Sequence, residues 1–226
     1  MKTKIISASM VTVLGALMFS QSALATTYQD DLNATSPVTV LIEDEDSLVI
    51  PPIDPEGPPI IPIDPNPEPG ALAIRYISSL DFGQVFVDGS EQMIRALPDV
   101  DTQGAEFSNL VSLRDVRSST NRDGWTLTVK QDQELLEGST ITMNPYINDL
   151  VAERLEVSAG GEIILNSDAQ VFARTNTNTN PSGSLSIGMA QPGESVALTI
   201  PEEEYEAGEY TTTLTWELIS GPMAPS

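Results

Sequence analysis

Short runs in which apolar and polar residues alternate fill the chain from residue 70 onward. Two of these runs are near-copies, GWTLTV at residues 124–129 and TLTWEL at residues 213–218, and they hold both tryptophans of the protein. Successive side chains of a strand point to opposite faces of a sheet. Each Trp and the Leu two residues after it therefore share one face, and the alternation is typical of a half-buried strand.

The same reasoning predicts ten strands between turn signals such as Gly160-Gly161 and Asn180-Pro181. They are Leu72 to Ile77, Gln84 to Val87, Phe107 to Leu113, Trp125 to Gln131, Thr140 to Met143, Glu162 to Leu165, Gln170 to Ala173, Ser184 to Met189, Ser195 to Ile200 and Glu209 to Ile219. Many short strands at this spacing predict an all-β domain, a β-sandwich or a barrel-like antiparallel fold. One helix is predicted at Pro145 to Val157, where apolar residues recur with a partial helical period.

The first 25 residues read as a secretory signal peptide. Lys2 and Lys4 precede an apolar stretch from Ile5 to Phe19, and Ala23-Leu24-Ala25 is a small-x-small cleavage site. The mature chain is then expected to start at Thr26; an uncleaved membrane anchor is the alternative. No second apolar stretch is long enough to span a bilayer and the chain has no cysteine to lipidate, so we expect no membrane span and no covalent anchor after cleavage.

Residues 26–69 differ in composition from the rest. They hold ten of the 17 prolines and ten acidic residues, with no Lys or Arg. Such a segment favours extended, solvated chain, so we predict an acidic Pro-rich spacer, a disordered arm before the β domain at residues 70–226. A ligand for an aromatic groove is the alternative. Val38 to Ile42 is a β-prone exception that could add a strand to a sheet edge.

The charge of the chain excludes one class of partner. The predicted leader removes two of ten bases and none of 33 acids, which leaves a net charge of −25. Such a field repels nucleic acid, anionic lipid and anionic wall polymers. We therefore expect no nucleic-acid partner, and contact with an anionic wall needs a neutral glycan or peptide target, a divalent bridge or a protein partner.

The residue types also limit the chemistry. With no His and no Cys, the chain has no Ser-His or Cys-His nucleophile pair and no usual zinc ligand set. We expect no catalytic residues, no metal site and no cofactor. A glycosidase built on two carboxylates stays open, but among 33 acids some suitably spaced pair arises by chance.

These elements together resemble the WxL domain of Gram-positive surface proteins. The shared features are the leader, the Asp-Pro-rich spacer, Leu80-Asp81-Phe82-Gly83, the proximal motif Gly124 to Val129 and the distal motif Leu214 to Leu218. A polar turn that contains Asp115, Arg117, Arg122 and Asp123 precedes the proximal motif. The ending Ile219-Ser220-Gly221-Pro222 departs from the Asp-Ala-Pro-like tail usual in the family, and the short spacer makes this a small member.

The resemblance implies a secreted, cell wall-associated protein. It implies non-covalent association with the bacterial cell wall, usually peptidoglycan, and assembly with other surface proteins, including membrane-anchored partners. The wall-binding motif that it implies consists of Trp125, Leu127, Trp216 and Leu218.

Two alternatives stay open at this point. Large apolar residues at i and i+2 on a strand usually fill a core, so both Trp-x-Leu pairs can be structural and pack across neighbouring strands. Otherwise at least one indole stays partly exposed and stacks on a sugar ring or peptide stem. Likewise, the protein either binds the wall directly or is an adhesin or complex subunit that a protein partner holds at the surface.

Overall fold

The computed structural model describes residues 27–28, 34–35, 49–67, 70–86 and 88–221. The chain divides into two compact units, Met1–Glu45 and Asp46–Ser226. In the first, β1 (Thr27–Tyr28) and β2 (Ala34–Thr35) form an antiparallel pair. The predicted signal peptide and the β-prone run at residues 38–42 lie outside the described residues.

The second unit is built from short strands and one helix. Its strands are β3 (Leu72–Ile77), β4 (Gln92–Arg95), β5 (Asp99–Val100), β6 (Glu106–Phe107), β7 (Leu110–Asp115), β8 (Trp125–Gln131), β9 (Thr140–Met143), β10 (Val157–Ala159), β11 (Ile163–Ile164), β12 (Gln170–Thr175), β13 (Gly183–Gly188), β14 (Ala197–Ile200) and β15 (Leu214–Ser220), and its helix is α1 (Asp149–Leu155).

All strand pairs of this unit are antiparallel among the described residues. One four-stranded sheet has the order β10-β12-β8-β15 and a second has the order β11-β9-β14-β4. A three-stranded sheet has the order β13-β7-β3, and β5 pairs with β6. This confirms the predicted β fold of antiparallel sheets, and the unit has one short helix within the predicted range.

The main core takes side chains from all three larger sheets. Trp125 and Phe172 come from the first sheet, Met143 from the second and Ile187 from the third, and none of the four is more than 1% exposed. The alternating apolar positions of the sequence are thus the inward faces of these strands.

Three predicted strands match the structure residue for residue, namely β3, β8 and β9. The strand predicted at Gln84 to Val87 is wrong over the described residues 84–86, which carry no ladder. This segment instead lies beside β4, where the Leu97 N–H donates to the Asp81 carbonyl at 2.7 Å and the Gln92 side-chain amide donates to the Phe86 carbonyl at 3.1 Å. The Gln92 side chain thus donates the hydrogen bond to this segment that a backbone N–H would donate in a β-ladder.

The helix is shorter than predicted, with its first residue at Asp149 and not at Pro145. Asn148 is its N-cap, because its side-chain oxygen accepts from the Leu150 N–H at 3.0 Å. Glu156 ends the helix in the left-handed conformation, with φ 53°. The caps therefore set both ends, which the apolar spacing does not reveal.

The proline-rich stretch contributes to the fold from residue 49 onward. Ile50 and Ile60 exchange two backbone hydrogen bonds, at 2.9 and 3.1 Å. They form a second buried cluster with Tyr76 and Leu110, and Ile50 is only 1% exposed. Burying an isoleucine side chain stabilises the folded state by about 1.5–3 kcal/mol. Residues 49–67 therefore pack on the domain, whereas the sequence predicts a solvated spacer there.

Candidate functional site

The two Trp-x-Leu motifs lie on neighbouring strands. β8 and β15 pair in an antiparallel register that sets Leu127 opposite Leu218, Trp216 opposite Val129 and Trp125 opposite Ser220. The two leucines therefore face each other one pair from the middle of the ladder. Trp216 lies one pair from the middle on the other side, and Trp125 lies at one end.

The proximal motif belongs to the core. β8 is an internal strand between β12 and β15, and Trp125 is 1% exposed while Leu127 is fully buried. The Trp125 N–H donates to Thr175 Oγ1 at 3.1 Å, and that hydroxyl donates back to the Trp125 carbonyl at 3.3 Å. Neither side chain of this motif reaches solvent, so neither can touch a ligand in the folded protein.

The distal motif lies at the rim of the same sheet. β15 is an edge strand, and both Trp216 and Leu218 are only partly buried. The Trp216 and Phe172 rings pack nearly perpendicular to each other, with centroids 4.9 Å apart and an interplanar angle of 83°. Phe172 is the extra residue of a β-bulge, between Val171 and Ala173, where β12 shifts register against β8. The bulge thus supplies the buried partner of the partly buried indole, which also packs against the main core.

Arg117 joins the ends of the two motif strands. Its Nε and Nη2 donate to the two oxygens of Asp115 at 3.0 and 2.9 Å. Its Nη1 donates to Asp123 Oδ1 at 2.8 Å and to Ser220 Oγ at 2.6 Å, and its Nη2 also donates to the Gly124 carbonyl at 2.9 Å. One guanidinium therefore connects the end of β7, the turn before β8 and the last residue of β15.

Electrostatics favour the charged forms of this network. Burial raises the pKa of Asp115, but hydrogen bonds from Arg117 and Asn180 outweigh it and hold that pKa below the ordinary value. The hydrogen bond to Asp115 is the main reason that the pKa of Arg117 is raised. Asp115 is only 3% exposed, so it needs this partner to stay charged.

The structure thus separates the four residues of the predicted motif into two classes. Trp125 and Leu127 are enclosed, whereas Trp216 and Leu218 stay accessible at the edge. The motif prediction did not include Phe172, because its role depends on a bulge that leaves no pattern in the sequence. In the sequence, the Arg117 network is indicated by the polar turn that precedes the proximal motif.

Other features of the described residues add no competing site near these strands. No cluster of three or more side chains suited to a metal is found among them. Within the same ranges, no helix has the length and apolar character needed to cross a membrane. A cavity of about 160 Å³ is lined by Arg95, Thr142, Glu162 and other residues of or near the second four-stranded sheet, and by none of the Trp-x-Leu residues.

Comparison with known proteins gives one match. A family model described as "WxL domain surface cell wall-binding" matches residues 29–222. No curated protein and no solved structure matches the chain.

Proposed function

The chain belongs to the family of WxL domain surface cell wall-binding proteins, and from this premise we propose that it binds peptidoglycan directly through its distal Trp-x-Leu strand. Family membership gives the coarser statement, a protein of the cell surface that binds the cell wall. The proposal adds the ligand and the residues that contact it.

The single observation that carries the proposal is the difference in exposure between the two motifs. Trp125 is 1% exposed, so an indole contact with the wall has to come from Trp216 at the sheet edge. There the ring is held from one side by Phe172, which restricts its rotation and lowers the entropy lost on binding.

A stacking contact also suits the charge of the protein. The face of an indole packs on the C–H face of a sugar ring or on a peptide stem without needing an opposite charge. A mature chain with a net charge of −25 is not attracted to an anionic wall. The proposed contact is therefore apolar. The proposed role is binding, in agreement with the family description.

We further propose that the protein takes part in complexes with other surface proteins. The alternative in which a protein partner alone holds it at the surface is supported by one observation, the open edge of β15.

The test is sedimentation of the mature chain, residues 26–226, with peptidoglycan sacculi stripped of other polymers and proteins. Wild type should sediment, and Trp216→Ala should lose that ability while keeping its near-UV circular dichroism apart from the indole contribution. Trp216→Phe should recover part of the binding, because it keeps an aromatic ring on Phe172.

Trp125→Ala is the matched comparison at the buried position. It should cost about 3–5 kcal/mol in the free energy of unfolding, measured by denaturant titration, because it leaves a cavity in the core. Folded Trp216→Ala protein that sediments like wild type would contradict the stacking proposal. A folded wild type that stays in the supernatant would move the function to a protein partner.

A further inference from the structure

The hydrogen-bond pattern of the β8–β15 ladder determines which backbone groups of β15 face outward. The Asp132 N–H donates to the Thr213 carbonyl at 3.0 Å, and the Gly221 N–H donates to the Gly124 carbonyl at 2.9 Å. Hydrogen-bonded pairs recur at every second residue of an antiparallel ladder. The odd-numbered residues of β15 therefore bond to β8.

The even-numbered residues of β15 then point their N–H and C=O groups away from β8. These residues are Leu214, Trp216, Leu218 and Ser220. Bonds on the far side of β8 agree with this parity, because the N–H groups of Trp125 and Gln131 go to Thr175 Oγ1 and the Asn166 carbonyl. The outward backbone groups of β15 are thus those of the Trp-x-Leu residues themselves.

Other long edges in the described part of the chain are covered. On β3, the Asn66 N–H and side-chain amide donate to the carbonyls of Arg75 and Ile74, at 2.8 and 2.7 Å. On β13, Tyr146 and Gly188 exchange two backbone hydrogen bonds, at 3.0 and 2.9 Å.

The remaining edges are short or shielded. β10 and β11 have three and two residues, and β4 is flanked by the segment that carries Asp81 and Phe86. Such devices keep sheet edges from pairing with other chains.

Among the residues that the structure describes, none covers or shields β15 in these ways. It is seven residues long, contains no Pro, Gly or Lys, and stays in register with β8 over its whole length. Glu217 is its one charged residue, on the face opposite to Trp216. A long, regular edge with a single charged side chain can accept an added strand.

We propose that the free edge of β15 binds an extended segment of another surface protein, which adds a fifth strand to the four-stranded sheet. The inference rests on the proposed membership in surface complexes and names the chemistry of the partner. The added strand pairs with the backbone of Trp216 and Leu218, and its apolar side chains cover their exposed parts.

The charge on Glu217 defines the partner further. In the added ladder Glu217 falls in a non-hydrogen-bonded pair, in which side chains directly opposite are closest. A Lys or Arg opposite it is favoured, and a second copy of this chain paired over the full strand would place Glu217 against itself. The net charge of −25 repels a second copy as well.

Amide hydrogen exchange measured by NMR tests the parity in the free protein. The amides of Trp216 and Leu218 should exchange fast, whereas those of Thr215 and Glu217, bonded to β8, should exchange slowly. Equal protection of both sets would mean that the edge is already covered, and would overturn the proposal.

Binding is tested with two capped peptides of alternating Thr and Val that differ only in a central Lys or Glu. The Lys peptide should bind about fivefold more tightly to the mature chain by fluorescence anisotropy. It should also slow exchange at Trp216 and Leu218. Glu217→Lys, an exposed change, should reverse the preference between the two peptides.

Leu218→Pro removes one outward N–H without breaking a bond to β8, and proline is tolerated at such edge positions. It should abolish peptide binding, whereas Leu218→Ala, which keeps the N–H, should retain it. Binding that survives Leu218→Pro, or no saturable binding of either peptide, would overturn the proposal. A concentration-dependent dimer with the same amide protection would assign the edge to a second copy and overturn it too.

Sedimentation with sacculi separates this proposal from the wall-binding one. Glu217→Lys, which changes an exposed side chain on the face opposite to Trp216, should still sediment while it reverses the peptide preference, and that result supports a strand site distinct from the wall contact. Wild type that binds peptide but not sacculi would refute direct wall binding and leave the strand site standing.

Discussion

At the scale of single residues, Arg117 carries the connection between the two motif strands. It makes two hydrogen bonds to Asp115, and it reaches Asp123, the Gly124 carbonyl and Ser220 as well. The planar guanidinium suits this role, because its donors are fixed in directions that match a carboxylate. The position of the distal strand therefore depends on a residue outside both motifs.

Acid should weaken this network. The folded-state pKa of Asp115 lies below its ordinary value, so the stability that it contributes is complete above about pH 4, the unfolded value. It is lost as pH falls through the lowered folded pKa. Urea titrations of the wild type should show this loss in the acid range.

Arg117→Ala should lower the free energy of unfolding at pH 7 by about 3–5 kcal/mol, because it leaves the Asp115 carboxylate buried without its partner. Its pH profile should be flatter in acid, since protonating an unpaired buried carboxylate relieves its burial. Arg95→Ala, at an exposed position, is the control and should change stability little. A steep acid loss that persists in Arg117→Ala would assign the pH dependence to other groups.

At the scale of elements, the bulge in β12 supports the partly buried Trp216. Phe172 is the extra residue, and it is fully buried against the ring of Trp216. The chain after β10 crosses close to this bulge, because the Gly160 N–H donates to the Phe172 carbonyl at 2.7 Å. A Cβ at Gly160 would lie 2.3 Å from the Val171 carbonyl oxygen, so this approach requires glycine.

Gly160→Ala should therefore destabilise the protein by about 1–3 kcal/mol. It should also alter the indole signal in near-UV circular dichroism, because the bulge beneath Trp216 has to shift. Gly161→Ala is a control one residue away, where nothing lies within 4 Å of the added methyl group. Equal effects of the two substitutions would mean that the close approach is not what constrains Gly160.

At the scale of the whole molecule, residues before the predicted domain boundary help to hold it together. Ile50 and Ile60 pack with Tyr76 and Leu110, and the Ser186 hydroxyl donates to the Pro51 carbonyl. The folded unit accordingly starts before residue 70, and the two compact units of the chain divide between Glu45 and Asp46.

Ile50→Ala should cost about 2–5 kcal/mol in the free energy of unfolding, the range for a buried isoleucine. Ile63→Ala, in the same stretch but 66% exposed, should have almost no effect. A fragment of residues 70–226 should melt at a lower temperature than one of residues 46–226. If calorimetry gives the same melting temperature for both fragments, the packing of residues 49–67 contributes no stability.

The charge of the molecule sets how wall binding responds to solution conditions. The full chain carries a net charge of −23, which becomes −25 once the predicted leader is removed. Such a charge repels wall that carries anionic polymers, and salt screens that repulsion. Sedimentation with such wall should increase with added salt, with divalent cations or at lower pH. Binding that instead weakens as salt rises would identify attraction to cationic groups as the driving force.

Much of the fold follows from the sequence because strand formation depends on local patterns. The alternation in WTLTVKQ at β8 and LAIRYI at β3 predicts both strands residue for residue. It does not predict that the polar face of β8 is covered as well, with Thr126 and Thr128 buried like Leu127. The residue content also limits the chemistry, since a chain without His or Cys cannot build the usual nucleophile pairs. The family resemblance rests on the same local motifs, and the family match over residues 29–222 confirms it.

What the tertiary structure alone decides is which copy of a repeated motif is accessible. Trp125 and Trp216 have nearly the same neighbours in sequence, yet one is on an internal strand and the other on an edge strand. The difference comes from β12, a strand more than 30 residues from either motif, which covers β8 and leaves β15 open. Strand neighbours and bulges are set by contacts distant in sequence, so no local pattern records them.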